Sequence, residues 1–326
     1  MGVRTNVTDT IRTAVIGTGH FGLYHAQKLA RIPGSELVAV ADIDPDRASE
    51  VAGQLGVEAV TNPSDLIGRV DAVSVVVPTR KHFDVAAEFL KAGVRVMVEK
   101  PITGDEASAR ELIALAAANK AILQVGHLAR FAGVTEALIN AVDQPLYIES
   151  VRVAPFKPRG TDVSVILDLM IHDLDLVLAL TDAELTDVDA VGTSVLSDSE
   201  DMANARLKFA GGCIANITAS RVSLKTERKM RIFQRDTYIS VDFDAQTIRT
   251  FRKVGDAKDS GGMPNVVPSQ DSFEETDALE LELAAFVASA RDGTPPLVNG
   301  EAGLRALLAA QRVTDSLREN ASHTVT

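Results

Sequence analysis

The tightest constraint on this chain is Gly17-Thr18-Gly19-His20-Phe21-Gly22, three glycines set between an apolar run and a helical pattern. Arg12–Gly17 (RTAVIG) reads as a short strand that runs into the turn. Leu23 to Arg31 reads as a helix with Leu23, Ala26, Ala30 and Tyr24 facing inward. Glu36 to Ala41 (ELVAVA) is the next strand and ends at Asp42, 20 residues beyond Gly22. Each part has a physical reason. Gly17 permits the tight turn, Gly19 lets backbone approach a pyrophosphate, and Gly22 lets helix and strand pack closely. The amides of the helix start, with His20 and Phe21 among them, then face phosphate oxygens. Asp42 accepts hydrogen bonds from ribose hydroxyls and repels a 2′-phosphate, which favours NAD over NADP; Arg47 nearby argues the other way. In this strand–turn–helix setting the motif implies a dinucleotide site.

The alternation of strand and helix continues. Ala48–Leu55 reads as a helix and Ala59–Val60 as a short strand. Ala72–Val77 is an unbroken apolar strand of the kind buried on both faces. It ends at Pro78-Thr79-Arg80-Lys81-His82 before the helix Phe83–Ala92. Ligands of open parallel sheets bind beyond the carboxyl ends of the strands, so Thr79 and His82 stand where cofactor contacts are expected. A helix-start histidine facing solvent is the competing reading of His82. Val94–Val98 ends in Glu99-Lys100-Pro101, again on the ligand side. A lysine there, beside a nicotinamide, holds a substrate hydroxyl and stabilises the alkoxide that precedes hydride loss. The competing reading is a surface lysine paired with Glu99. A helix at Glu106–Ala118 and a strand at Ile122–Val125 complete this part.

The chain has 326 residues, enough for two domains. Its net charge is −12, with no concentrated basic run, which argues against a nucleic-acid or anionic-membrane partner. One cysteine, Cys213, excludes an internal disulfide and a cysteine-based zinc site. No metal-ligand cluster, catalytic serine motif or internal repeat stands out. No apolar run approaches the length of a membrane span, and Met1–Thr10 lacks the apolar core of a secretion signal. A cytoplasmic location is the expectation.

In the second half, Leu167–Leu176 (LDLMIHDLDL) opens an apolar helix that carries polar residues at helical spacing. At roughly 100° per residue, Asp168, His172 and Asp175 fall within about 60° of one another, with Asp173 pointing elsewhere. An imidazole between two carboxylates makes a general base with orienting partners. A buried histidine held by aspartate for structural reasons is the alternative. Leu146–Val153, Val188–Leu196, Ala203–Phe209, Cys213–Ala219, Lys229–Gln234, Tyr238–Phe243 and Thr247–Arg252 read as strands, several with period-two alternation. Arg252–Ser272 reads as a mobile edge loop. Thr276–Ala290 and Glu301–Leu317 read as helices, with inward stripes at Leu279, Leu283, Phe286, Val287 and Ala290 and at Leu304, Leu307, Leu308 and Leu317.

The glycine turn, Glu99-Lys100-Pro101, and the D-x-x-x-H-x-x-D of Asp168, His172 and Asp175 occur together and in order. On these residues the chain resembles the glucose–fructose oxidoreductase / inositol dehydrogenase / rhizopine catabolism (Gfo/Idh/MocA) family of NAD(P)-dependent sugar oxidoreductases. The resemblance runs from Thr13 to about Leu317. It implies an α/β plus α+β fold: an N-terminal doubly wound Rossmann domain and a C-terminal domain on a large, mostly antiparallel open sheet. The expected boundaries are 1–125, 126–300 for substrate binding and oligomerisation, and 301–326 for a helix packing back on the first domain. A homodimer or homotetramer is implied as well.

Narrower matches lie in Pro155–Asp162 (PFKPRGTD), in Gly212–Arg221 (GCIANITASR) and in Arg231-Ile232-Phe233-Gln234. They resemble the UDP-N-acetylglucosamine 3-dehydrogenases that begin diamino-sugar synthesis for lipid A. That resemblance implies oxidation of a sugar C3 hydroxyl by NAD, followed by an aminotransferase. It implies a catalytic set of Lys100, His172 and Asp168, with His172 or Lys100 as the base. The cofactor contacts are Gly17, Gly19, His20, Phe21, Gly22, Asp42, Thr79, His82, Glu99 and Lys100. The substrate contacts are Arg159, Thr161, Asp168 and His172, while Lys157 and Arg221 are further candidates for a diphosphate. In the stretch His127–Gly133 the subgroup commonly has a glutamate and an Asn-Pro pair, where this chain has Ala129 and Ala132. A free sugar, an inositol-like polyol or a UDP-uronic acid therefore remains as an alternative substrate. From another class, a non-catalytic NAD-binding sensor also remains.

Overall fold

In the computed structural model, residues 10–157, 163–258 and 264–323 are described. The chain divides into two compact units, Met1–Leu128 with Asp277–Leu307, and Ala129–Thr276 with Leu308–Thr326. The helix Ala278–Asp292 thus belongs to the first unit, although the sequence boundaries assign it to the second. Its Leu283, Phe286 and Val287 are buried with Val15, Leu29 and Val40 in one apolar cluster. Lys28, itself buried, pairs with Asp277 at the start of that helix.

The first unit contains six parallel strands: β1 (Ile11–Ile16), β2 (Ser35–Ala41), β3 (Glu58–Val60), β4 (Ala72–Val75), β5 (Arg95–Glu99) and β6 (Leu123–Gly126). Their order, β3-β2-β1-β4-β5-β6, reverses between β1 and β4, the switch point where such sheets take ligands. Every residue of β4 is buried, as its continuous apolar reading requires, and so is every residue of β6. The helices are α1 (His20–Leu29), α2 (Pro45–Leu55), α3 (His82–Lys91) and α4 (Glu106–Ala118). Asp44 caps α2 by accepting from the amides of Asp46 and Arg47, Pro45 fits its first turn, and Gly56 closes it at φ +69°. On α1, Ala26 is buried, whereas Tyr24 and Ala30 face solvent and His25 points inward. The inward stripe expected there is corrected accordingly.

The second unit is built on eight strands: β7 (Tyr147–Val153), β8 (Leu185–Thr193), β9 (Met202–Phe209), β10 (Ile214–Ser220), β11 (Glu227–Gln234), β12 (Thr237–Asp242), β13 (Thr247–Lys258) and β14 (Pro264–Ser272). They run in the order β14-β13-β12-β11-β7-β10-β9-β8. β7 and β10 are parallel, and the other neighbours are antiparallel. The expected loop at Arg252–Ser272 is therefore mostly a hairpin of β13 and β14, with Phe251 opposite Pro268. Its Pro264 and Pro268 hide the strand from sequence reading, yet an edge strand tolerates proline because its outer amides need no partner.

Two further helices, α5 (Gly133–Ala141) and α6 (Ile171–Thr181), belong to this unit. Ile148, Ser150 and Arg152 of β7 are buried on the face that α6 covers, and the residues between them are half-exposed. On the opposite face Tyr147, Phe233, Tyr238 and Phe251 form an aromatic row across β7, β11, β12 and β13, with successive ring centroids 5.8, 5.0 and 5.9 Å apart. No helix among the described residues is long and apolar enough to cross a membrane.

Candidate active site

At the carboxyl ends of β1, β2, β4 and β5 lies a cavity of about 910 Å³, lined by Gly17, Gly19, His20, Phe21, Asp42, Thr79, Glu99 and Lys100 among others. It has the size of a cofactor site. Gly17 adopts φ +94°, and a Cβ there would stand 2.4 Å from the Val76 carbonyl oxygen. A Cβ on Gly22 would lie 1.8 Å from the Gly17 oxygen, so helix and turn meet only without side chains. A Cβ on Gly19 would meet nothing within 4 Å. That clearance, beside the start of α1, is the room a pyrophosphate needs. The first turn of α1 carries no side-chain cap and no acidic residue, so its amides remain available to an anion. The three glycines thus fit a dinucleotide in three distinct ways.

Asp42 is half-buried at the end of β2. Its Oδ2 accepts from the Thr18 amide at 2.8 Å and the Thr18 hydroxyl at 3.0 Å, and its Oδ1 accepts from the Asp44 amide at 3.0 Å. Burial pushes its pKa up, but these donors and the Arg47 charge outweigh it and hold the carboxyl below its ordinary value. Asp42 therefore stays ionised and anchors the glycine turn while lining the cavity. Ile43, 91% exposed beside it, offers apolar surface to a base.

Lys100 and Glu99 both line the cavity. Glu99 is largely buried, with Oε1 3.2 Å from His25 Nε2 and Oε2 accepting the Lys100 amide at 3.3 Å. A Cβ on Gly126 would lie 2.9 Å from Glu99 Oε1, so that glycine makes room for the carboxylate. His25 is 1% exposed, and its Nδ1 meets the Ser74 hydroxyl at 2.8 Å. Sequence reasoning missed His25. The available signal was an imidazole on the inward side of α1, a position that demands a buried partner. Burial raises the Glu99 pKa, but the His25 hydrogen bond, the charges of His25 and Lys100 and the Lys100 amide outweigh it and leave the carboxyl below its usual value. Thr79 is half-buried in the turn Thr79–Lys81.

His82 lines the same cavity, and it does not face solvent as the competing reading has it. It is 1% exposed, with Nδ1 2.8 Å from the Pro101 carbonyl oxygen and Nε2 2.9 Å from that of Val77. It ties together the segments that follow β4 and β5. Burial lowers its pKa, opposed by those carbonyls and by Glu99.

In the second unit, Ile166–Met170 forms a π-turn, with the Ile171 amide bonded to the Ile166 oxygen, before α6 begins. The 100° spacing therefore holds from His172 to Asp175 but not from Asp168 to His172. Such turns recur at functional sites. Asp168 and His172 are half-buried. Asp175 is not an orienting partner in this structure, because it pairs with Arg130 at 3.3 Å. Asp173 binds Arg152 and Ser150 beneath the sheet.

The expected diphosphate role of Arg221 is corrected. Arg221 is 6% exposed and bonds Asp201, the Val163 and Glu200 carbonyl oxygens, Ser197 and Ser199. It binds the loop before β9 to the chain that enters the π-turn. Lys157 is exposed. Arg159 and Thr161 lie outside the described residues.

Comparison with known proteins agrees with this geometry. Residues 11–127 match the model of an oxidoreductase family with an NAD-binding Rossmann fold, and residues 152–240 match a GFO/IDH/MocA C-terminal domain. UDP-N-acetylglucosamine 3-dehydrogenase of Acidithiobacillus ferrooxidans is 43% identical over 93% of this chain and 96% of its own. A solved structure of that enzyme, GnnA, superposes with a TM-score of 0.87 at 40% identity, covering 94% of this chain and 98% of that one. Myo-inositol 2-dehydrogenase of Thermotoga maritima is 31% identical over 96% of this chain and 98% of its own. With a glycine cradle, a lysine at the cavity and these matches, the chain belongs to the NAD-dependent GFO/IDH/MocA oxidoreductase family.

Proposed function

We propose that this protein oxidises the C3 hydroxyl of UDP-N-acetylglucosamine to a ketone, with NAD as hydride acceptor. The observation that carries the oxidoreductase chemistry is Lys100 on the cavity beside the glycine cradle. The substrate rests on likeness to the Acidithiobacillus enzyme over nearly the whole of both chains. NAD, when bound, supplies the acceptor for a hydride. Lys100 donates a hydrogen bond to the substrate oxygen as it loses its proton, and His172 takes that proton; the exchange of these two roles is the rival assignment. With Asp175 paired to Arg130, Asp168 is the carboxylate assigned to orient His172. Glu99 and His25 hold the Lys100 backbone, and Asp42 holds the glycine turn and meets the ribose.

The ketone is a substrate for an aminotransferase, which places the reaction at the start of 3-amino-sugar synthesis for lipid A. The aromatic face of Tyr147, Phe233, Tyr238 and Phe251 is the surface assigned to pairing of two copies. An inositol-like polyol is the second reading, favoured by the Thermotoga relative. Absorbance of NADH formed with UDP-N-acetylglucosamine, beside inositol and the UDP-uronic acid, tests the proposal.

A further inference from the structure

Three arginine–aspartate pairs lie buried in the second unit, and they differ in how fully the guanidinium is used. Arg152 donates to Asp173 at 2.6 and 3.2 Å, and Ser150 donates to the same carboxylate at 2.9 Å. Arg221 donates from Nε to Asp201 at 2.8 Å, from Nη1 to the Val163 oxygen at 2.8 Å and from Nη2 to Ser199 at 2.7 Å. Both are structural clamps: Arg152 grips one carboxylate through two nitrogens, and every nitrogen of the Arg221 guanidinium has an acceptor.

Arg130 is different. Its side chain is 10% exposed and that of Asp175 is 3% exposed, yet the ion pair is Nε to Oδ2 at 3.3 Å. The two atoms are enclosed but not aligned as a hydrogen bond. The terminal amines of Arg130 meet no hydrogen-bond acceptor among the described residues, and they are not among the enclosed atoms. Those amines keep an opening, so an incoming acceptor can reach them without displacing a protein partner. A guanidinium only donates, in a planar fork, so a ligand that meets it there supplies acceptors.

The helix says where that partner stands. Asp175 lies three residues after His172 in α6, about 60° round the axis and about 4.5 Å along it. Arg130 is therefore anchored on the helix face that carries the candidate base.

We propose that Arg130, its fork fixed by Asp175, is a substrate-binding and specificity-determining residue that donates to sugar oxygens flanking the carbon that is oxidised. This rests on the sugar-oxidation reading above. It assigns Arg130 to the sugar and not to the diphosphate.

The test is calorimetric binding to the full-length protein saturated with NADH, with UDP-N-acetylglucosamine and UDP titrated separately. Arg130→Lys keeps the charge without the fork, and the double variant Arg130→Gln/Asp175→Asn leaves no unpaired buried charge. Expected are an unchanged NADH Kd, an unchanged UDP Kd and a nucleotide-sugar Kd weakened about 10- to 100-fold in the double variant. Arg130→Lys should fall between. Added methylguanidinium should restore nucleotide-sugar binding to Arg130→Ala, which a structural role would not predict. Equal weakening for UDP and the nucleotide sugar, or no weakening for either, overturns the assignment. If the wild-type protein binds inositol and not the nucleotide sugar, the substrate reading falls by itself; the same variants compared on inositol then decide the role of Arg130.

Discussion

His25 Nε2 stands 3.2 Å from Glu99 Oε1, and Glu99 Oε2 takes the backbone amide of Lys100 at 3.3 Å. A buried imidazole and carboxylate thus hold the backbone of the lysine assigned to the substrate oxygen. Because the folded pKa of Glu99 lies below its unfolded value, its ionisation favours the folded state above the unfolded carboxyl pKa of about 4.3. That contribution disappears as pH falls through the folded pKa. Urea unfolding of wild type and Glu99→Gln should show a constant stability difference from pH 6 to 8 that shrinks below about pH 4. A difference that grows on acidification would contradict the sign.

Asp42 acts on both the turn and the ribose. Asp42→Ala should weaken NAD binding about 10- to 100-fold, as loss of charge-assisted hydrogen bonds does. It should also narrow the preference for NAD over NADP, because the charge that repels a 2′-phosphate is gone. Dissociation constants for both cofactors, measured in parallel, check this. An unchanged ratio would remove Asp42 from the ribose site.

Arg221 should matter for stability and not for ligands. Burial raises the pKa of Asp201, but Ser197, the Leu196 and Val195 amides and Arg221 outweigh it and hold the carboxyl far below its usual value. Arg221→Ala leaves that carboxylate buried without its partner, at a cost of about 3–5 kcal/mol. Chemical unfolding should register the loss while NAD affinity stays at the wild-type value. A selective loss of nucleotide-sugar binding without destabilisation would return Arg221 to the substrate site.

Cys213 is 6% exposed, and burial pushes its thiol pKa up to about 11. The native protein should resist thiol reagents at pH 8 and react fully in urea, because only the thiolate attacks. Rapid native labelling would show that the strand end carrying Cys213 opens readily.

Much of this architecture was legible from local rules. The glycine turn, the apolar strands and Asp42 each encode one backbone requirement, so their places follow from neighbouring residues alone. Long-range pairing did not. Nothing near Arg130 names Asp175 as its partner, and nothing near His25 names Glu99. The even spacing read for Asp168, His172 and Asp175 changes for a definite reason: a π-turn at Ile166–Met170 breaks the spacing at Asp168, while Asp175 is taken by an arginine 45 residues upstream. β14 was missed because proline, which argues against a central strand, is tolerated on an edge. His82 was placed on the correct turn, but its burial depends on the backbone carbonyls of Val77 and Pro101, which no side-chain pattern reveals.

The most direct test of the central claim is NADH formation with NAD and UDP-N-acetylglucosamine, monitored with an aminotransferase and glutamate present to draw off the ketone. The account predicts turnover by the wild-type protein, and a loss of more than about a hundredfold in both Lys100→Ala and His172→Ala with NAD still bound. Near-wild-type turnover in either variant would contradict the proposed chemistry. Silence on every sugar with NAD bound would leave a nucleotide-binding sensor in place of an enzyme.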